Sequence, residues 1–188
     1  MNILAVDGTG DVLSVALGPH ELKRAAKKHD EALLPLVERL LKKAGLGWKD
    51  LDAIAAASGP GRFTGIRIGL SFAAAAGFQL KIPALAISRL AAAAGLGDRV
   101  LGALPGWKDE VYSQEFRKGK AAGEAAWTAP KDWPDFRAAA EKRGLNVLLR
   151  EATAADLLPV AEKLLAAKKI PPFKPFYLKP ASYERPSR

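Results

Sequence analysis

Residues 52–77 read DAIAAASGPGRFTGIRIGLSFAAAAG, and the way this stretch divides decides the kind of chain around it. Its opening, DAIAAAS (52–58), is a short uninterrupted apolar run, the pattern of a buried strand. A Gly-Pro-Gly turn follows at 59–61, and a helical rhythm then runs to about Leu80. Glycine-rich loops that open helices often hold phosphate. The P-loop pattern needs a lysine and a hydroxyl after its last glycine, but Gly65 is followed by Ile66 and Arg67. The dinucleotide pattern also fails, because Thr64 stands where its third glycine belongs. Backbone N–H groups and Arg62 are what remain for an anion. The helix carries the stronger signal: Gly65, Gly69, Ala73 and Gly77 recur every four residues and so line one side. Glycine inside a helix costs about 1 kcal/mol against alanine, which points to close packing along this seam. Its neighbour is either the chain's own sheet or another chain. Ile66, Leu70 and Phe72 make the helix apolar on more than one side, which favours another subunit.

Outward from this unit, NILAVD (2–7) and VLSVAL (12–17) are β-type runs joined by a Gly-rich turn, the signature of a hairpin. ELKRAAKKH adds an exposed, basic third strand. Asp30 is placed to cap a helix through Ala44, with Leu33, Leu34, Leu36, Val37, Leu40 and Leu41 as its apolar stripe and Pro35 in its early turns. ALAIS (84–88), RVLGALP (99–105), DEVYSQEFR (109–117) and NVLLR (146–150) follow as strands. Ser88 caps RLAAAAG, Pro134 opens a helix over DWPDFRAAAEKRG, and Thr153 caps a closing helix. GKAAGEAA (119–126) reads as a loop. The Pro-rich tail IPPFKPFYLKPASYERPSR is irregular, with Phe173, Phe176 and Tyr177 to pack it down. The result is an α/β chain, a mixed sheet with helices on its faces, broken near GLGDR (95–99). No sequence repeat is visible.

The chain has 188 residues, 49% of them hydrophobic, a formal charge of +9 and no cysteine. Thiolate chemistry and disulfides are excluded. No apolar run reaches membrane-span length and no signal peptide opens the sequence, so the expected location is cytoplasmic, with no membrane partner. The positive charge concentrates in KRAAKKH (23–29) and from Lys168 onward, and it favours RNA or an acidic partner. His20 and His29 have no metal-ligand spacing, no GxSxG elbow is present, and no residue is assigned as catalytic or metal-ligating. Asp7 ends the first strand beside a Gly-Thr-Gly turn. Alone it suggests a nucleotide site, but no matching acid at a strand end in the second half completes one.

ILAVDGTGDVLSVAL, the block from His29 to about Ala94 containing GPGRFTGIRIGL, and DEVYSQEF closely resemble the TsaB (YeaZ) family, in register to about residue 117. PFYLKP resembles its C-terminal element. The resemblance implies an actin-like ATPase (ribonuclease H-like) fold of two lobes with mixed sheets and flanking helices. The lobes fall at residues 1–98 and 99–188, the second shortened and ending in the Pro-rich tail. It further implies a role in making threonylcarbamoyladenosine at position 37 of tRNA, where TsaD transfers the threonylcarbamoyl group and the ATPase TsaE resets the complex. TsaB is the paralogue without catalytic equipment; it pairs with TsaD, or with itself when alone, through helices of the first lobe, and meets tRNA through the complex.

On that footing the partner or dimer interface comprises Gly59, Pro60, Gly61, Phe63, Thr64, Gly65, Arg67, Ile68, Gly69, Phe72, Ala73 and Gly77. Asp7 and Thr9 form a candidate residual nucleotide site, since the family's DTST turn is DGTG here and its DARRGEVY is GWKDEVY (106–112). No cofactor of its own is implied, with ATP or ADP and Mg confined to a complex interface. The competing expectation is a self-sufficient actin-like ATPase or kinase, or a glycoprotease-type peptidase.

Overall fold

The computed structural model describes residues 1–25 and 28–178. β1 (Ile3–Asp7) and β2 (Val12–Leu17) form the expected antiparallel hairpin, and β3 (His20–Ala25) extends it. Lys23 and Arg24 therefore lie on a strand and Lys28 precedes a helix, while Ala26 and Lys27 of the same basic segment lie outside the described residues. The chain returns through α1 (His29–Ala44) to lay β4 (Ala53–Gly59) parallel to β1. It then passes through α2 (Phe63–Leu80) to set β5 (Ala84–Ser88) parallel to β4. The order is β3-β2-β1-β4-β5. Every residue of β1 and β4 is buried, which is why both read as uninterrupted apolar runs.

α3 (Arg89–Ala94) starts on the predicted cap, the Ser88 hydroxyl accepting from the Leu90 N–H at 3.2 Å. β6 (Arg99–Pro105) and β7 (Val111–Arg117) pair antiparallel. β8 (Lys120–Ala121) and β9 (Ala126–Thr128) both pair with β7, so the expected loop at 119–126 carries strand pairing. The free edge of β7 imposes that pairing on residues of weak β-propensity. α4 (Trp133–Lys142) leads to β10 (Asn146–Leu149), parallel to β6, and α5 (Ala154–Ala166) follows. The second sheet, β10-β6-β7-β8 with β9 beside β7, repeats the order and directions of β4-β1-β2-β3 and, among the described residues, lacks a counterpart of β5.

α1 and α2 cover one face of the first sheet, with Leu36, Leu40, Ile54, Ile66 and Ala73 in their core. α3 and α5 cover the other face, where Leu90, Leu157 and Ala161 meet Ala5, Ala16 and Ala55. α5 is thus tied to the first sheet although it follows the second, and its first N–H, from Ala154, donates to the Ser14 hydroxyl of β2 at 2.9 Å. The Thr153 N–H donates to the Asp156 carboxylate at 2.8 Å, fixing the predicted start of α5. Two details of α1 differ from expectation. Lys28 holds the cap position and Asp30 lies in the first turn, where a carboxylate still favours the positive helix end. Leu34 is 49% exposed, at the margin of the buried stripe of Leu33, Leu36, Val37 and Leu40.

The glycine seam faces inward. A Cβ on Gly65 would stand 1.9 Å from the Gly8 carbonyl oxygen, one on Gly69 would face Val6 and Ala56 at 3.9 and 4.0 Å, and one on Gly77 would stand 3.1 Å from the Ile82 carbonyl. Ala73 is fully buried. The seam's neighbour is the chain's own sheet, and this corrects the expectation of a second subunit there. Apolar residues on several sides of α2 reflect a helix that packs on β1, β4 and β5 and also touches α1.

The two glycines predict opposite outcomes. Gly65→Ala is expected to destabilise by about 3 kcal/mol, because backbone stands where the methyl must go. Gly69→Ala has room and is expected to stabilise by up to about 1 kcal/mol through helix propensity. Denaturant midpoints of the two variants check both signs.

Candidate functional site

Five segments converge beyond the end of β1: its turn to β2, the loop 58–62, and the N-terminal ends of α1, α3 and α5. Asp7 is buried, and both carboxylate oxygens are engaged. Oδ1 accepts from the Thr9 N–H at 2.8 Å and from the Thr9 hydroxyl at 2.6 Å. Oδ2 accepts from Arg89 Nε at 3.0 Å. Arg89, 4% exposed, also donates to the Pro60 carbonyl at 3.4 Å, the Glu151 carboxylate at 2.8 Å and the Ala152 carbonyl at 3.1 Å. Asp7 and Thr9 therefore come together as predicted, around an arginine that sequence reasoning did not single out.

Glu151 is a second acid at this place, though not at the matching strand end. An acid from the second half does reach the site, two residues after β10 ends, and the guanidinium lies between the two carboxylates. The residue that closes β6, the counterpart of β1, is Pro105, so Asp7 has no equivalent in the second sheet. A cation held by Asp7 would compete with the guanidinium already 3.0 Å away. The residues present do not fit a metal–nucleotide complex held by Asp7.

The surrounding loop is likewise engaged. The Arg62 N–H donates to the Thr9 carbonyl at 2.7 Å and its side chain pairs with Asp11 at 2.5 Å, so Arg62 has internal partners. A Cβ on Gly61 would lie 2.7 Å from the same Thr9 carbonyl, which explains the glycine. His29 has a structural bond, its Nδ1–H donating to the Gly8 carbonyl at 2.9 Å. Two of the three expected aromatics hold the tail: the Phe176 N–H donates to the Ser58 carbonyl at 2.7 Å and the Tyr177 ring stacks on Phe63 at 5.1 Å, while Phe173 is exposed. Arg67 lies over the Phe63 ring at 3.9 Å and donates to the Tyr177 hydroxyl at 3.3 Å. The basic residues Lys179, Arg185 and Arg188 lie outside the described residues.

Of the predicted interface residues, Gly59, Pro60, Gly65, Gly69, Ala73 and Gly77 are buried in the chain itself and leave the proposed surface. Gly61, Thr64 and Arg67 are exposed; Phe63, Ile68 and Phe72 are half-buried, Phe72 against Trp48. The outward side of α2 runs through Thr64, Ser71, Ala74 and Ala75 to Phe78, which is 87% exposed. Phe78 was absent from the sequence-based set, although it continues the outward spacing of Ser71 and Ala74.

Two mixed sheets with flanking helices define the actin-like, ribonuclease H-like class. A solved structure described as YeaZ from Pseudomonas aeruginosa superposes with a TM-score of 0.72 at 28% identity, over 94% of this chain and 99% of the other. The family model described as TsaD, tRNA N6-adenosine threonylcarbamoyltransferase, matches residues 23–129, more than half the chain. The chain belongs to that family. Among curated relatives it resembles the tRNA threonylcarbamoyladenosine biosynthesis protein TsaB of Haemophilus influenzae, 30% identical over 66% of this chain and 57% of that protein. The Escherichia coli protein of the same name is 32% identical over 63% and 56%. The match therefore spans little more than half the length of these relatives. A tRNA N6-adenosine threonylcarbamoyltransferase of Nitrosospira multiformis is 46% identical over 35% of this chain and 19% of its own. No helix among the described residues is long and apolar enough to cross a membrane.

Removing one member of a buried ion pair strands the other. Arg89→Gln is expected to destabilise by about 3–5 kcal/mol. The double variant with Asp7→Asn should cost less than the two single variants summed, read by denaturant melts as a double-mutant cycle.

Proposed function

We propose that the chain is an accessory, noncatalytic subunit in the making of N6-threonylcarbamoyladenosine at position 37 of tRNA. It acts by docking TsaD, a transferase related to itself, against the outward side of α2. The observation that carries this reading is the character of that side: small residues from Ser71 to Ala75 that admit a second helix, and a fully presented aromatic at Phe78. Helix axes approach to about 8–10 Å where contact residues are small, and exposed aromatics are the usual anchors of protein interfaces. The names of the curated relatives support the pathway, and the local likeness to a transferase supports kinship between the two partners.

The noncatalytic assignment is supported by the commitment of Asp7 to Thr9 and Arg89, which leaves neither oxygen free for a cation. In this reading the chain holds no nucleotide alone, and ATP or ADP with Mg belongs at the interface with TsaD. The complex works in the cytoplasm with the ATPase TsaE, and the lone chain pairs with itself through the same helix side.

Co-purification of the tagged chain with its cell's own TsaD tests the docking. Phe78→Glu is expected to weaken the complex by roughly 30-fold or more and to leave the melting temperature near wild type, because the ring is exposed. A complex that survives Phe78→Glu together with Ser71→Arg overturns the assignment of the interface. Calorimetry of the isolated chain with MgATP is expected to show no micromolar binding. Binding that Asp7→Ala abolishes would instead favour a self-sufficient ATPase.

A further inference from the structure

At the outer end of the second sheet the register sets Arg99 opposite Arg117 and Arg117 opposite Lys120. Directly opposed residues project from one face of a sheet. With strands about 4.8 Å apart, three basic side chains stand in a row about 10 Å long. All three are exposed. Like charges placed directly opposite one another destabilise a sheet, so this row works against the fold that carries it.

Little in the chain offsets it. Arg99 donates to the carbonyl of Arg143, just past α4, and so gains from the negative end of that helix. Glu115, two residues before Arg117 on the same face, is taken by the Arg143 guanidinium. Asp98 contributes a backbone carbonyl, which accepts from the Lys118 N–H at 2.9 Å. Among the described residues Arg117 and Lys120 have no ion pair. Lys118 and Lys163 add charge at the adjoining turn, where the Lys163 ammonium donates to the Lys118 carbonyl.

We infer that Arg99, Arg117 and Lys120 form a docking strip for the phosphate backbone of an RNA. A line of long cationic side chains matches a chain of phosphates, and displaced counterions drive such contacts whatever the base sequence. β8 ends the sheet among the described residues, so a strand of RNA reaches the row without displacing any described element. The formal charge of +9 attracts the same ligand at longer range. The strip lies on the second sheet, away from α2, which leaves both surfaces free to be used together. Only the choice of tRNA as the probe rests on the function proposed above.

The test is fluorescence anisotropy of the full chain with an unmodified tRNA transcript across a potassium chloride series. Arg99→Gln, Arg117→Gln and Lys120→Gln combined are expected to weaken binding roughly tenfold or more at low salt. They should also shrink the slope of log affinity against log salt by about 2 to 3, close to one per lost phosphate contact. The melting temperature should hold or rise, since repulsion is relieved, which separates lost contact from unfolding. A control with equal charge loss, Lys42→Gln, Lys43→Gln and Lys49→Gln, is expected to keep most of the binding. The inference is overturned if the strip variant matches wild type or the control. It is also overturned if the variant loses binding to polyglutamate while keeping tRNA, which would identify an acidic protein as the partner. A chain that docks TsaD yet ignores tRNA overturns the strip alone; loss of docking with tRNA binding intact overturns only the interface on α2.

Discussion

A single buried guanidinium holds together segments that are far apart in the chain. Arg89 lies 82 residues from Asp7 and 62 from Glu151, yet it bonds to both and to the carbonyls of Pro60 and Ala152. A charge taken out of water is tolerated only with partners in good geometry. The end of β1, the loop before α2 and the approach to α5 therefore have one arrangement in which Arg89 is satisfied. That arrangement changes the chemistry of the place. The carboxylate that ends β1 serves the protein's own cation. Asp7 becomes part of the framework.

The same economy divides α2 between two tasks. Its glycines face inward: Gly65 brings the helix onto the Gly8 turn at a distance no side chain permits, and Gly69 faces β1 and β4 with room for a methyl. Its outward residues are small from Ser71 to Ala75, between Arg67 and Phe78. One helix thus fixes the sheet on one side and presents a clean ridge on the other, and any partner that meets the ridge meets a surface already held rigid by the seam.

How far this was legible in the sequence depended on the range of the interactions. Buried strands announce themselves as apolar runs, and the elements from β1 to α3 were readable because hydrophobic period, caps and turns are local. The glycine period told which residues share a side of α2 but not what lies against that side, since spacing carries no information about the neighbour. Arg89 looked like an ordinary first residue of a short helix, and Glu151 like a surface acid after a strand. Their meaning comes from contacts more than sixty residues long. β8 is invisible to propensity because β7 recruits it, and β9 offers only Trp127 and Thr128 as a local signal. The repetition of one topology in the two sheets leaves no trace in the residues, as each sheet needs only the right pattern of burial.

The position of α5 has a consequence for how the chain is made. Ala5, Ala16 and Ala55 rest on residues 154–166, so one face of the first sheet has only α3 to cover it until that segment has left the ribosome. At translation speeds of about 5–20 residues per second, that interval lasts several seconds. The alanine-rich make-up of β4 suits such a delay, because small side chains offer a passing chaperone or a neighbouring nascent chain little to grip. The first sheet is thereby completed only after the second has been made, when α5 arrives and Ser14 receives its first N–H.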